Sequence, residues 1–309
     1  MQKEVSDIVR DIKSLKIQGA RNIAKSAVKG LIIEAKASKS NDMKSFFQSI
    51  SLASAALAKA RPTEPMTRNL MDESLRFIER KVKEKSPLDS VRTDFLFHEK
   101  NMLKGLDKDA ERLAEYGAEL IPDNGLIITH CHSSTATAVL RKAKSMKKQF
   151  SVIACETRPR FQGRKTAQEL AEAGIDVTLV VDGAANLFMK KADMCLVGAD
   201  SITSRGDLIN KVGTSMLAHI AKSHDVSFYC AAELLKFSPH TMYGVREKIE
   251  ERDPKEVWDK PPKKVKVRNP AFDVTASSYI SGFVSEAGVI PAQSFFSLAA
   301  KKIGIRMEG

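Results

Sequence analysis

From Gly125 onward the chain alternates short β-rich apolar runs with amphipathic stretches, and this alternation restricts the fold more than any other feature of the sequence. Leu126–His130, Phe150–Cys155, Asp176–Val181, Met194–Val197 and Val226–Ala231 read as strands. Ser134–Met146, Thr166–Ala173, Ala184–Lys191 and Val212–His224 read as the helices between them. Near-continuous apolar strands joined by helices predict a doubly wound parallel sheet, covered on both faces. Before Gly125 the texture differs. Val5, Ile8, Val9, Ile12 and Leu15 fall at helical spacing, as do Ile23, Val28, Leu31 and Ile32, and strand-like alternation is nearly absent. Breaks at Gly19, Ser38–Asp42, Arg61–Pro65 and Ser86–Pro87 predict four or five helices. The fold class is therefore α/β: a helical N-terminal domain over residues 1–107, a connecting helix over Asp107–Tyr116 reaching to about 120, and a sheet domain over 121–309. The tail reads as loop-rich, closing in one short helix.

In an open parallel sheet, residues just past the strands' carboxyl ends converge on one crevice. Four segment ends here carry reactive groups: Ile128–Ser133, Cys155–Pro159, Val197–Ser201 and Asn210–Thr214. Cys131 stands where a strand gives way to a helix, a position that lowers a thiol's pKa. Asp200 follows an apolar run that should desolvate it and raise its pKa. A thiolate and a carboxylic acid so tuned suit proton transfer between adjacent carbons. The residues alone leave a second reading of Asp200 or Ser201 open, as a helix N-cap. Asp182, at Val181-Asp182-Gly183, reads as structural or as orienting a neighbour. Arg158, Lys211 and Lys236 at strand-to-helix junctions, with the helix start Ser133-Ser134-Thr135, are candidate phosphate ligands, and Gly19-Ala20-Arg21 and Arg61-Pro62-Thr63 are their counterparts in the helical domain. The other cysteines, Cys155, Cys195 and Cys230, read as small packed residues. None of the four forms a C-x-x-C pair, so no zinc site or disulfide framework is expected.

A net charge of +12 admits nucleic acid or phosphorylated metabolites as partners. Aromatics are only 6% of residues and the lysines are dispersed, so nucleic acid is not expected. The one dense basic run, Lys260–Arg268, alternates Val265 and Val267 and predicts an edge strand guarded by lysines. No apolar stretch approaches the roughly 20 residues of a membrane helix, and the start is studded with charge, so a cytoplasmic protein with no membrane contact is expected. The G-x-G-x-x-G and G-x-x-x-x-G-K-[ST] fingerprints are missing.

Six motifs together resemble the archaeal ribose 1,5-bisphosphate isomerases: His130–Ser133, Glu156–Pro159 with Gln162-Gly163, Gly198–Ile202, Asn210–Thr214, Ala232-Glu233 with Lys236-Phe237, and Asn269–Thr275. The wider superfamily includes methylthioribose 1-phosphate isomerase and the alpha, beta and delta regulatory subunits of the eukaryotic translation-initiation exchange factor. The resemblance implies a helical domain joined to a Rossmann-like one. It also implies conversion of ribose 1,5-bisphosphate to ribulose 1,5-bisphosphate in nucleotide (AMP) salvage, with Cys131 as proton acceptor and Asp200 as proton donor. Gly19, Ala20, Arg21, Asn22, Arg61, Ser133, Ser134, Thr135, Asn210, Lys211 and Lys236 would hold the phosphates and sugar hydroxyls. No metal or organic cofactor is implied, and the subunits are expected to assemble as dimers or as hexamers, trimers of dimers. The chain departs from the family pattern at Gln18 and Arg21, within Gln18-Gly19-Ala20-Arg21 where members read Arg-Gly-Ala-Gly, and at Glu64. A noncatalytic regulatory subunit binding a sugar phosphate or nucleotide is the alternative, distinguished by having no need of both Cys131 and Asp200.

Overall fold

The computed structural model describes residues 1–305 and divides into two compact units, Met1–Lys108 and Asp109–Gly309. The first unit is helical, with α1 (Lys3–Lys13), α2 (Ala20–Ala37), α3 (Met43–Ala60), α4 (Pro65–Lys83) and most of α5 (Leu88–Leu120). Local chemistry sets these boundaries. Gly19, at φ +84°, supplies the left-handed turn before α2, the Asp42 carboxylate caps α3 by accepting from Ser45 N–H at 2.9 Å, and Pro65 opens α4. Phe46, Leu57, Met66 and Phe95 are fully buried between the helices, with Phe46 and Phe95 meeting edge to face at 6.2 Å.

The stretch 107–116, read as a connecting helix, is the later part of α5, which runs unbroken for 33 residues. A helix interior tolerates its Gly105 and Gly117, and neither is followed by proline.

Glu99 on α5 is fully buried, and burial pushes its carboxyl up to about 8, the charge of Glu73 adding to the rise and the Ser74 hydroxyl opposing it. A carboxyl whose pKa is raised on folding contributes stability that is complete below its unfolded value and is lost as pH climbs through the folded one. Glu99→Gln should therefore leave stability near parent at pH 4 and raise it by on the order of 3 kcal/mol at pH 7. Urea unfolding at the two pH values measures this, and an equal change at both counts against it.

The second unit follows the alternation read from the sequence. Its elements are β1 (Gly125–His130), α6 (Ser134–Ser145), β2 (Phe150–Cys155), α7 (Gln162–Glu172), β3 (Asp176–Val180), α8 (Ala185–Met189), β4 (Met194–Val197), β5 (Ser201–Ile202), β6 (Leu208–Lys211), α9 (Thr214–Ser223), β7 (Ser227–Ala231), β8 (Phe272–Thr275), β9 (Gly282–Ser285), β10 (Gly288–Ile290) and α10 (Ala292–Lys302). The main sheet has the order β10-β9-β7-β4-β1-β2-β3, parallel except for the β9–β10 hairpin. Ile127, Val139, Leu140, Val152, Leu170 and Leu196 form its core. The chain winds outward from β1 through β2 to β3, then returns to place β4 on the other side of β1. The carboxyl ends of β1 and β4 therefore flank the point where the winding reverses, the usual place for a site in such sheets.

Three expectations are corrected. A second sheet, β5-β6-β8, is antiparallel and occupies segments read as loop or helix start, and the tail contributes β9 and β10 to the main sheet. Lys260–Arg268 forms no strand: Pro261 and Pro262 lack N–H donors, and Val265 N–H turns back onto the Pro262 carbonyl, leaving the lysines exposed in irregular chain. Helix α7 starts four residues earlier than predicted, because Phe161 in the left-handed region ends the preceding turn.

Candidate functional site

The end of β1 and the end of β4 touch. A Cβ on Gly198 would lie 2.3 Å from Ser133 Oγ, so only glycine lets the start of α6 approach the end of β4. Ser133 caps α6 by accepting from Ala136 N–H at 3.2 Å, and the first-turn amides of Ser134 and Thr135 have no partner within the helix. Cys131 stands just before this cap, at φ +67°. Its N–H donates to Thr157 Oγ1 at 2.8 Å, and its carbonyl accepts from Thr166 Oγ1 at 2.8 Å.

Asp200 is not a helix N-cap. It leads into β5, and its N–H donates to the Ile209 carbonyl of β6 at 3.0 Å. Lys236 is buried beside it, its ammonium donating to the Ala199 carbonyl at 2.6 Å with Glu233 at 3.7 Å. Lys211, at the end of β6, is also buried, with Nζ 5.2 Å from the centre of the Phe272 ring. Asn210 Nδ2 donates to Thr214 Oγ1 at 3.0 Å, and that hydroxyl donates to the Lys211 carbonyl. Gly213, at φ +101°, passes so close to His130 that a Cβ would lie 3.0 Å from the ring, and its N–H donates to Asp273 at 2.7 Å.

The thiol of Cys131 departs from expectation. Burial pushes it up to about 12, with Lys211 pulling it down and Asp200 and Asp182 adding to the rise. The helix-terminus argument fails because α6 begins three residues later, and desolvation of the sulfur outweighs what that terminus supplies. Cys131 is nevertheless the only cysteine that is not wholly buried, and the other three pack as small apolar residues.

Arg158 is exposed, its guanidinium donating to the Val257 carbonyl at 3.1 Å and lying 5.2 Å from the Phe161 ring. In the helical unit, Gly19 precedes the first turn of α2, formed by Ala20, Arg21 and Asn22, and Asn22 Nδ2 donates back to the Gln18 carbonyl. Arg61 Nε lies 3.7 Å from the buried Glu64 carboxylate, so this departure from the family pattern is turned onto Arg61 itself.

Among the described residues, His130, Cys155 and Asp182 bring metal-ligating atoms within 4.8 Å of one another. His130 Nε2 donates to the Val212 carbonyl at 2.9 Å and Nδ1 faces Asp182 at 3.7 Å, while the Asp182 oxygens accept the Thr157 and Arg158 amides at 2.8 and 2.7 Å. The trio braces β1, β2 and the turn after β3.

The sequence pattern of the initiation factor 2 subunit family matches residues 16–292. The chain belongs to that family. It is 40% identical to the ribose 1,5-bisphosphate isomerase of Pyrococcus furiosus, over 98% of this chain and 95% of that one. It is 35% identical to a methylthioribose-1-phosphate isomerase of Pelotomaculum thermopropionicum, over 93% and 83% of the two chains. Among solved structures it resembles the translation initiation factor eIF-2B of Pyrococcus horikoshii OT3, with a TM-score of 0.80, 31% identity and coverage of 94% and 98%. The α/β architecture is thus shared with that initiation factor.

Two residues of this family member escaped the sequence reading altogether: Thr157, quoted only inside a motif, and Thr166, taken only as a helix start. Each acts on Cys131 across 26 or 35 residues of chain. No local pattern marks such pairs.

Proposed function

We propose that this chain isomerises ribose 1,5-bisphosphate to ribulose 1,5-bisphosphate, a step of AMP salvage, with Cys131 and Asp200 moving the protons. The observation that carries the reading is the near-full-length likeness, at 38–40% identity, to four archaeal proteins named ribose 1,5-bisphosphate isomerase. The meeting of the β1 and β4 ends supports the choice of residues.

In this mechanism the furanose oxygen takes a proton from Asp200 as the ring opens. Cys131 removes the proton at C2, leaving an enol; the Cys131 thiol then returns that proton to C1 while the C2 hydroxyl gives its own to the Asp200 carboxylate and becomes the ketone, which restores both groups. The thiol and carboxyl are linked in the right sense. A proton on Asp200 removes one of the charges that hold the thiol up, so thiolate and carboxylic acid favour each other. Lys211 and Lys236, with Asn210, Arg158 and the amides of Ser133, Ser134 and Thr135, are assigned to phosphate and hydroxyl recognition in the sheet unit. Gly19, Ala20, Arg21, Asn22 and Arg61 are assigned to phosphate recognition in the helical unit. The excess positive charge then draws in a polyanionic substrate.

Purified protein supplied with ribose 1,5-bisphosphate, and a carboxylase to consume the product, tests the activity. Absence of turnover overturns it. Iodoacetamide should alkylate Cys131 in the free protein at a rate rising roughly tenfold per pH unit from 7 to 10, because a thiol near 12 is still mostly protonated there. A plateau below pH 8 would contradict that environment. We also propose a cytoplasmic homo-oligomer, a dimer or a trimer of dimers. Exposed apolar Leu179 and Val181, on and just after the edge strand β3, support self-association, which light scattering tests.

A further inference from the structure

Cys131, at φ +67°, adopts a backbone conformation that the Cβ of an L-residue disfavours. Such strain persists only where the surroundings impose it. Here both of its backbone polar groups are held by hydroxyls from outside its own segment. Thr157 Oγ1 accepts the Cys131 N–H at 2.8 Å while donating its own proton to the Cys155 carbonyl at 3.0 Å. Thr166 Oγ1, on α7, donates to the Cys131 carbonyl at 2.8 Å and lies 3.2 Å from His132 Nδ1. Both threonines are buried. Thr157 is itself at φ +68°, and its amide is tied to Asp182 at 2.8 Å.

We propose that Thr157 and Thr166 are positioning residues that clamp the Cys131 peptide in the left-handed conformation and so hold its sulfur in the field of Lys211 and Asp200. Neither threonine need touch the substrate. Each fills one of the two hydrogen-bonding directions of a single residue, and Ser at either position keeps the group that matters. The inference rests on the reading of Cys131 as the base, yet its core concerns the free protein and is measurable without substrate.

The test combines turnover with alkylation. Thr157→Val and Thr166→Val should each lower kcat by about ten- to a hundredfold, the scale of loss when a reacting group is displaced by about 1 Å, with KM within about threefold of the parent. Thr157→Ser and Thr166→Ser should recover most of the loss. In the parent, Lys211→Met should slow iodoacetamide alkylation of Cys131 several-fold at fixed pH, since the ammonium favours the thiolate. In either Val background the same Lys211→Met change should have little effect, because the released thiol no longer faces the lysine. A purely structural role for the threonines would lower melting temperature without altering that coupling. The clamp is overturned if Lys211→Met acts equally in the parent and the Val backgrounds, if it has no effect in the parent, or if the Ser variants lose as much as the Val variants. Should the parent not turn over the bisphosphate, the proposed activity falls, and the alkylation cycle alone decides the clamp. If one Val variant does not fold, the other carries the cycle.

Discussion

Cys131→Ser is expected to lower turnover of ribose 1,5-bisphosphate by about 10³-fold, equivalent to roughly 4 kcal/mol of barrier, while the protein melts within a few degrees of the parent. The hydroxyl that replaces the thiol keeps the backbone bonds to Thr157 and Thr166, which involve only main-chain groups of residue 131. What it loses is basicity within reach. Lys211 can coax a thiol toward its anion in this crevice, but an alkoxide lies far beyond that help. Side-chain volume changes little, so the fold has no reason to respond. Coupled carboxylation gives the rate and circular dichroism the melting curve. Residual activity above a tenth of the parent would remove Cys131 from the chemistry.

The second large effect is structural. A Cβ at Gly163 would stand 1.8 Å from the Cys155 carbonyl oxygen, 2.8 Å from its carbon and 2.9 Å from Glu156 Cα. All three obstacles are backbone, and two belong to the parallel strand β2 or its end, so no side-chain rotation relieves the clash. Gly163→Ala should cost about 4 kcal/mol or more and lower the melting temperature of the sheet unit by about 10 °C. The site should suffer with it. Displacing α7 from the end of β2 moves Thr166, and with it the carbonyl of Cys131. Gly105→Ala is the matching control. Nothing lies within 4 Å of its Cβ, and in a helix interior Ala is favoured over Gly by about 1 kcal/mol, so a small rise in stability is expected.

How much of this could be read in advance depended on the range of the interactions involved. The five core strands were legible because Ile127, Val152 and Leu196 sit in runs whose apolar character repeats regularly along the chain. Cys131 and Asp200 were legible as positions at strand ends because each follows such a run, while their joint role rests on the resemblance. The small sheet was not: β5 has two residues, β6 four, and β8 pairs with β6 across more than sixty residues, so no window contains its pattern. The direction of the Cys131 shift was misread for a related reason. A helix start is visible in sequence, whereas the desolvation that outweighs it comes from atoms brought together only by folding. Lys260–Arg268 shows the converse error, where two valines in alternation outvoted two prolines that remove strand donors.

The antiparallel pairing of β5 with β6 has one more consequence. Asp200 and Lys211 ride the same hairpin, with Ser201 opposite Ile209 and Ile202 opposite Leu208, and the hairpin is pinned through Asp273 by the amides of Gly213 and Ser215. These two residues act on the thiol in opposite senses. Drift of the hairpin therefore carries both groups together, so neither can shift relative to Cys131 without the other, a linkage that charges mounted on independent loops would not have.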